Sequence, residues 1–126
     1  MPHLTLEYSA NLKQQHDFSP LFQTLHGLLS DTAGILIDNC KSRVRPADSF
    51  YVAQGEPQLA FVHLDVRFME GRTLEVKQIL GQQMKAALMK WFRVEDELVE
   101  IQITVEIRDI ERVGYFKYPE GTLTPI

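Results

Sequence analysis

The sequence predicts a two-layer α+β domain in which two βαβ units form a four-stranded sheet with two helices on one face. Three observations carry this. Segments of alternating hydrophobicity and segments of helical period follow one another in the order strand, helix, strand, strand, helix, strand. The order falls into two similar halves, about 2–55 and 59–121. No linker, low-complexity stretch or long charge run divides the 126 residues, so 1–126 reads as a single domain large enough to bury its own core. Right-handed crossovers would place both helices on the same side of the sheet. A ferredoxin-like domain shares the element order and is the rival architecture.

Each element has its own signal. In "HLTLEY", Leu4, Leu6 and Tyr8 alternate with His3, Thr5 and Glu7, the pattern of a half-buried strand. Pro2 stands just before it, where a missing N–H is tolerated. "DFSPLFQTLHGLLSDTAG" predicts a helix capped by Ser19, with Pro20 at its first position, Leu21, Phe22, Leu25, Leu28 and Leu29 as its apolar side, and Gly34 as its stop. "SRVRPADSFYVA" predicts a second strand, interrupted at Pro46 by an edge position or a bulge. In "LAFVHLDVRF", Ala60, Val62, Leu64, Val66 and Phe68 alternate with polar residues. The stretch "EGRTLEVKQILGQQMKAALMKWF" starts a helix near Thr73 with Val76, Leu80, Met84, Ala87, Leu88 and Trp91 on one face. "VEIQITVEI" aligns Val99, Ile101, Ile103, Val105 and Ile107, and an irregular tail follows. Those strand faces are too apolar for water if the helices cover only one side, which predicts oligomerisation.

Composition excludes several classes. A net charge of −4 is not the basic footprint of a nucleic-acid binder. No apolar run approaches a membrane span, and the first residues lack the charged and apolar regions of a signal peptide. The single cysteine, Cys40, fits a reducing cytoplasm and reads as a small buried hydrophobe. His3, His16, His26 and His63 show no metal-ligand spacing, and no glycine-rich phosphate loop or serine-nucleophile motif is present. Glu70, Asp96 and Glu97 fall at turns and read as solvated. No metal or cofactor is therefore expected.

The chemistry that stays open is an amine and scattered cations. Methionine before a small residue such as proline is normally removed, which would leave Pro2 with a free secondary amine. An α-amino group starts near a pKa of about 7.7–8.0, far closer to neutrality than lysine. Nearby arginines and an apolar pocket would both lower it further. "CKSRVR" sets Lys41, Arg43 and Arg45 on one face of a strand, where they could hold an anion or simply be solvated.

The "MP" strand together with "EGRT" before a long amphipathic helix resembles the tautomerase superfamily. The second half alone looks like a short member such as 4-oxalocrotonate tautomerase. The doubled length, with "MPHL", "SRV", "AFVHLDV" and "GRTLE" in order, is most similar to the 5-carboxymethyl-2-hydroxymuconate isomerases. The resemblance implies an isomerase of aromatic-acid breakdown that moves a proton along an unsaturated 2-oxo di- or tricarboxylic acid. It implies two βαβ units per subunit in a homotrimer, Pro2 as proton carrier, and arginines on the substrate's carboxylates and 2-oxo group. Arg72 matches the "EGR" arginine. Lys41 stands where the isomerase pattern has arginine, and Arg43 is the neighbouring match. Phe50, with Tyr51, Tyr115 and Phe116, would supply an apolar wall, against a plain core reading for each. The alternatives are another reaction of the superfamily, such as hydration or dehalogenation, and a binding module without turnover.

Overall fold

The computed structural model describes residues 1–12, 17–95 and 98–119. The expected order of elements is present: β1 (His3–Ser9), α1 (Ser19–Ala33), β2 (Lys41–Ala47), β3 (Leu59–Met69), α2 (Leu74–Trp91) and β4 (Glu100–Ile110). Short 3₁₀ turns at Ile37–Asn39 and Arg112–Gly114 follow α1 and β4, so the segment after β4 is not wholly irregular. Among the described residues, no helix is long and apolar enough to cross a membrane.

The four strands lie in the order β2-β1-β3-β4. β1 pairs in parallel with β2 from His3 opposite Lys41 to Ser9 opposite Ala47, and β3 pairs in parallel with β4 from Leu59 opposite Glu100 to Met69 opposite Ile110. The two units join antiparallel, with His3 opposite Arg67 and Leu6 opposite Leu64. Each pair of parallel strands is hydrogen-bonded directly. A ferredoxin-like domain would insert another strand between them, so that rival falls away.

Side-chain alternation sends Leu4, Leu6, Val62, Leu64, Val66 and Phe68 to one side, where they meet Leu21, Leu25 and Leu29 of α1 and Leu80, Met84 and Leu88 of α2 in one buried cluster. Each such side chain contributes about 1.5–3 kcal/mol through burial. Ile101, Ile103, Val105 and Ile107 of β4 also pack against this cluster, partly buried. The apolar face of β4 thus points at the helices and does not by itself demand a second subunit. The face left open is polar, carrying His3, Thr5, Arg43, Arg45, Asp65, Arg67 and Arg108 around one concavity.

Three local expectations change. β2 ends at Ala47, so Phe50 and Tyr51 lie in a loop and not in a strand. Pro46 stays in the ladder without interrupting it: Lys41 N bonds Pro2 O, alternation turns every second N–H of β2 the other way, and position 46 therefore faces the free edge of the sheet. Ser19 is the first helical residue of α1 rather than its cap. Phe18 holds the cap position, and Asp17 Oδ1 accepts the Ser19 N–H at 2.9 Å. Gly34 ends α1 as expected, in the left-handed region at φ 66°, where a side chain would be strained. Thr73 caps α2, its hydroxyl accepting the Val76 N–H at 3.2 Å. Cys40 is only half-buried, with its thiol 3.7 Å from Leu36 O.

Candidate active site

The N-terminal end of β1 gathers several of the residues singled out in the sequence. Pro2 is buried, and its carbonyl accepts the Lys41 N–H at 3.1 Å. Carried one step past His3 and Arg67, the antiparallel register sets Pro2 opposite Phe68. Two residues beyond β3, Gly71 adopts φ 122°, open to glycine and strained for other residues, and this turn delivers Arg72. The Arg72 guanidinium carbon stands 5.8 Å from the centre of the Phe68 ring, and its Nε donates to Ala33 O at 3.0 Å. Its Nη1 is buried without a hydrogen-bond partner among the described residues. Burial, and then the nearby Arg112 charge, lower the Arg72 pKa. A buried guanidinium donor with no partner among the described residues is chemically suited to an anionic acceptor.

The terminal amine itself is perturbed. On Met1 it is lowered from 8.0 to about 5, first by burial, then by a hydrogen bond and charge repulsion from Lys41, then by Lys117. The cations pressing on the amine are thus lysines, where the sequence suggested arginines. Both are held by Asn39, whose backbone oxygen accepts from Lys41 Nζ at 3.1 Å and whose Oδ1 accepts from Lys117 Nζ at 3.5 Å. Asn39 and Lys117 carry no sequence signal of function. One closes a 3₁₀ turn, the other lies past the last strand, and only folding brings them together.

Arg43 occupies the open face beside this end. Its Nη2 meets His3 Nδ1 at 3.1 Å, its Nη1 donates to Thr5 Oγ1 at 3.5 Å, and His3 Nε2 meets the Tyr115 hydroxyl at 2.8 Å. These groups border a cavity of about 770 Å³ that also includes Arg45 and Glu111. Burial and the surrounding cations lower the His3 pKa. Phe50 is not brought to this end within one chain. It lines a separate depression with Asn11, Val52 and Leu59, past the far end of β1, about 20 Å away by strand rise. Tyr51 beside it is 77% exposed, and Phe116 is 89% exposed.

Other expectations on polar residues resolve unevenly. Glu70 is exposed at its turn as expected, and its Oε2 also accepts the Arg112 N–H at 2.8 Å. His16, Asp96 and Glu97 lie outside the described residues. His63, Asp65 and Glu106 converge on the open face within 4.8 Å, a grouping that sequence spacing did not reveal. Asp65, however, is already bonded by Arg108 at 2.9 Å and Arg67 at 3.2 Å, and His63 Nδ1 by Thr104 Oγ1 at 2.6 Å, so the cluster is internally neutralised.

Residues 2–120 match the family model described as 5-carboxymethyl-2-hydroxymuconate isomerase. The chain belongs to this isomerase family. It is 27% identical over 117 residues to the 5-carboxymethyl-2-hydroxymuconate Delta-isomerase of Escherichia coli, covering 93% of each chain. A crystal structure of a 5-carboxymethyl-2-hydroxymuconate isomerase from Deinococcus radiodurans R1 superposes with a TM-score of 0.81 at 32% identity, over 92% of this chain and 87% of that one. A fused 4-OT wild-type symmetric trimer shares the fold, with a TM-score of 0.72 at 15% identity over 97% of this chain and 95% of that one. This 5-carboxymethyl-2-hydroxymuconate isomerase family member is accordingly an isomerase with the tautomerase fold.

Proposed function

We propose that this isomerase converts an unsaturated 2-hydroxy di- or tricarboxylate of the 5-carboxymethyl-2-hydroxymuconate type into its 2-oxo isomer, with the amine of Pro2 as the proton carrier. Removal of Met1 transfers the terminal amine to Pro2, among the same cations. The observation that supports the reading is the setting at this end of β1: burial, Lys41 and Lys117 lower the amine carried there by Met1 to about 5, and the same surroundings would disfavour the protonated form of a Pro2 amine one residue further in. An amine so disfavoured in its protonated form is able to accept a proton near neutral pH. In the reaction the 2-hydroxyl gives its proton to the Pro2 nitrogen, and C2 becomes a carbonyl. The double bonds shift so that one is left between C3 and C4, and the proton returns from nitrogen to C5. Nothing else is gained or lost.

Arg72 binds a substrate carboxylate through its unpartnered Nη1 and stabilises charge growing on the 2-oxygen. Lys41 and Arg43 hold the remaining carboxylate charge, Lys41 as a point charge without the flat fork of arginine. The scheme uses protein groups alone. We further read the working form as a cytoplasmic homotrimer, after the symmetric-trimer assemblies of the fold relatives.

Isomerisation in D₂O, followed by NMR, tests the reading. It predicts loss of the dienol signals with one deuterium arriving at C5, at a rate proportional to the protein whose first residue is Pro2. A substrate that persists unchanged over a panel of such acids would contradict it.

A further inference from the structure

The bonding around His3 fixes where its protons are. A guanidinium has only donors, so the contact of 3.1 Å between Arg43 Nη2 and His3 Nδ1 requires Nδ1 to accept. In the neutral ring the proton then sits on Nε2, and the bond of 2.8 Å to Tyr115 runs from Nε2–H to the hydroxyl oxygen. The charged groups that face His3 are the terminal amine, Arg43, Lys41 and Arg67, which together with burial oppose a second proton on the ring. Tyr115 therefore keeps its own hydroxyl proton. Among the described residues no acceptor takes it, and the ring borders the cavity of about 770 Å³ shared with Arg43 and Arg45. Arg67 and Arg108 on the same wall are already paired with Asp65.

We propose that Tyr115 donates its hydroxyl proton as a hydrogen bond to a carboxylate of the bound substrate, beside Arg43 and Arg45, and that His3 is the positioning residue that turns the hydroxyl toward it. The arrangement selects acids with a carboxylate beyond the one held at Arg72. It rests on the assignment of an anionic 2-oxo acid to this site. Arg43 acts twice, once on the anion and once as the donor that sets the His3 tautomer. A phenol donor adds direction to a pocket whose arginines supply charge, and it adds no further charge of its own.

The test uses the Met1-free protein and reads binding as well as turnover. For Tyr115→Phe, KM for the tricarboxylic substrate should rise about tenfold or more while kcat changes little, as expected for loss of one hydrogen bond to a charged group. The dissociation constant of 2-oxoadipate, a saturated dicarboxylic 2-oxo acid, should weaken by the same factor. His3→Ala should reproduce this change. His3→Gln, whose amide can accept from Arg43 and donate to Tyr115, should restore most of the affinity. ¹⁵N spectra of the imidazole should show a protonated Nε2 and a bare Nδ1 at neutral pH. Unaltered 2-oxoadipate binding in Tyr115→Phe, no binding to the parent protein, or a protonated Nδ1 would each overturn the inference. Should the protein bind 2-oxoadipate in this Tyr115-dependent way yet isomerise nothing, the inference stands and the catalytic reading falls.

Discussion

Arg72 Nε donates to the backbone oxygen of Ala33 across 3.0 Å, so the arginine delivered by the Gly71 turn is fastened to the last residue of α1. One edge of the guanidinium is thereby spent on the fold, while Nη1 stays buried and has no hydrogen-bond partner among the described residues. The end of α1, the start of α2 and the sheet meet at this side chain. Its orientation is set before any ligand arrives, which is the condition under which a charge can stabilise a transition state without first being reorganised.

Replacing Arg72 with alanine should raise KM and lower kcat together, because the same guanidinium holds the ground-state carboxylate and the charge that grows on the 2-oxygen. The combined loss should be about 2–5 kcal/mol of transition-state stabilisation. Arg72→Lys should recover little of it, since an ammonium cannot bond Ala33 O and a carboxylate in the same fixed geometry. Steady-state kinetics decide the matter, and kinetics unchanged by Arg72→Ala would remove the residue from the site.

The position of the acid limb of kcat/KM should depend on Lys41. A cation near the amine disfavours its protonated form, so the limb should lie below the usual α-amine range of about 7.7–8.0. In Lys41→Gln that repulsion is gone, the amine binds protons at higher pH, and the limb should move up. Burial, the largest cause, persists in the variant, so the limb should still fall short of the free-amine value. A limb that does not move would detach Lys41 from the amine.

Acid should destabilise the fold partly through His26. Burial lowers its pKa, and its Nε2 meets Ser42 Oγ at 2.7 Å, joining α1 to β2. The unfolded chain then binds the proton more readily than the folded one, so stability should decline as pH falls through about 6.5. His3, also lowered, acts in the same direction. Urea midpoints measured above and below that pH should show the decline, with a shallower slope in His26→Gln. An equal slope would assign the effect elsewhere.

Thr73→Ala should cost about 1 kcal/mol of stability by leaving the Val76 N–H without its acceptor, and Thr73→Ser should restore most of it. Thermal or denaturant unfolding of the pair measures this directly, and an equal loss in both variants would point to the methyl group instead of the cap.

The elements with one-sided burial were legible in the sequence. β1, β3 and α2 each show a single apolar face at the right period, and Gly34 and Thr73 mark helix ends through local chemistry that no distant contact overrides. The reading of β2 ran on to position 53 because Phe50, Tyr51 and Val52 look like strand residues. The chain in fact leaves the sheet after Ala47, at Asp48 and Ser49, and carries Phe50 away from Pro2. Ile101, Ile103, Val105 and Ile107 were correctly placed on one face, but periodicity alone does not say which side the helices take. Pro2 stood out through its amine, and Arg72 through the resemblance of "EGR" to the isomerase pattern. His3 with Tyr115, 112 residues apart, and Asn39 with Lys117, 78 apart, are joined only by tertiary structure, so no spacing rule could have paired them.

The central claim is that an unblocked Pro2 nitrogen carries the proton, and turnover by two preparations of the same chain tests it most directly. One begins at Pro2, the other retains Met1, each verified by intact mass. Met1 makes the Pro2 nitrogen an amide, which has no basic lone pair, and its own side chain is only 1% exposed at that end of the sheet. The Pro2-initiated preparation should isomerise 5-carboxymethyl-2-hydroxymuconate, and the Met1-bearing one should be slower by about a hundredfold or more, the usual worth of a positioned general base. Equal rates from the two preparations would contradict the claim and leave Pro2 as no more than the residue before the first strand.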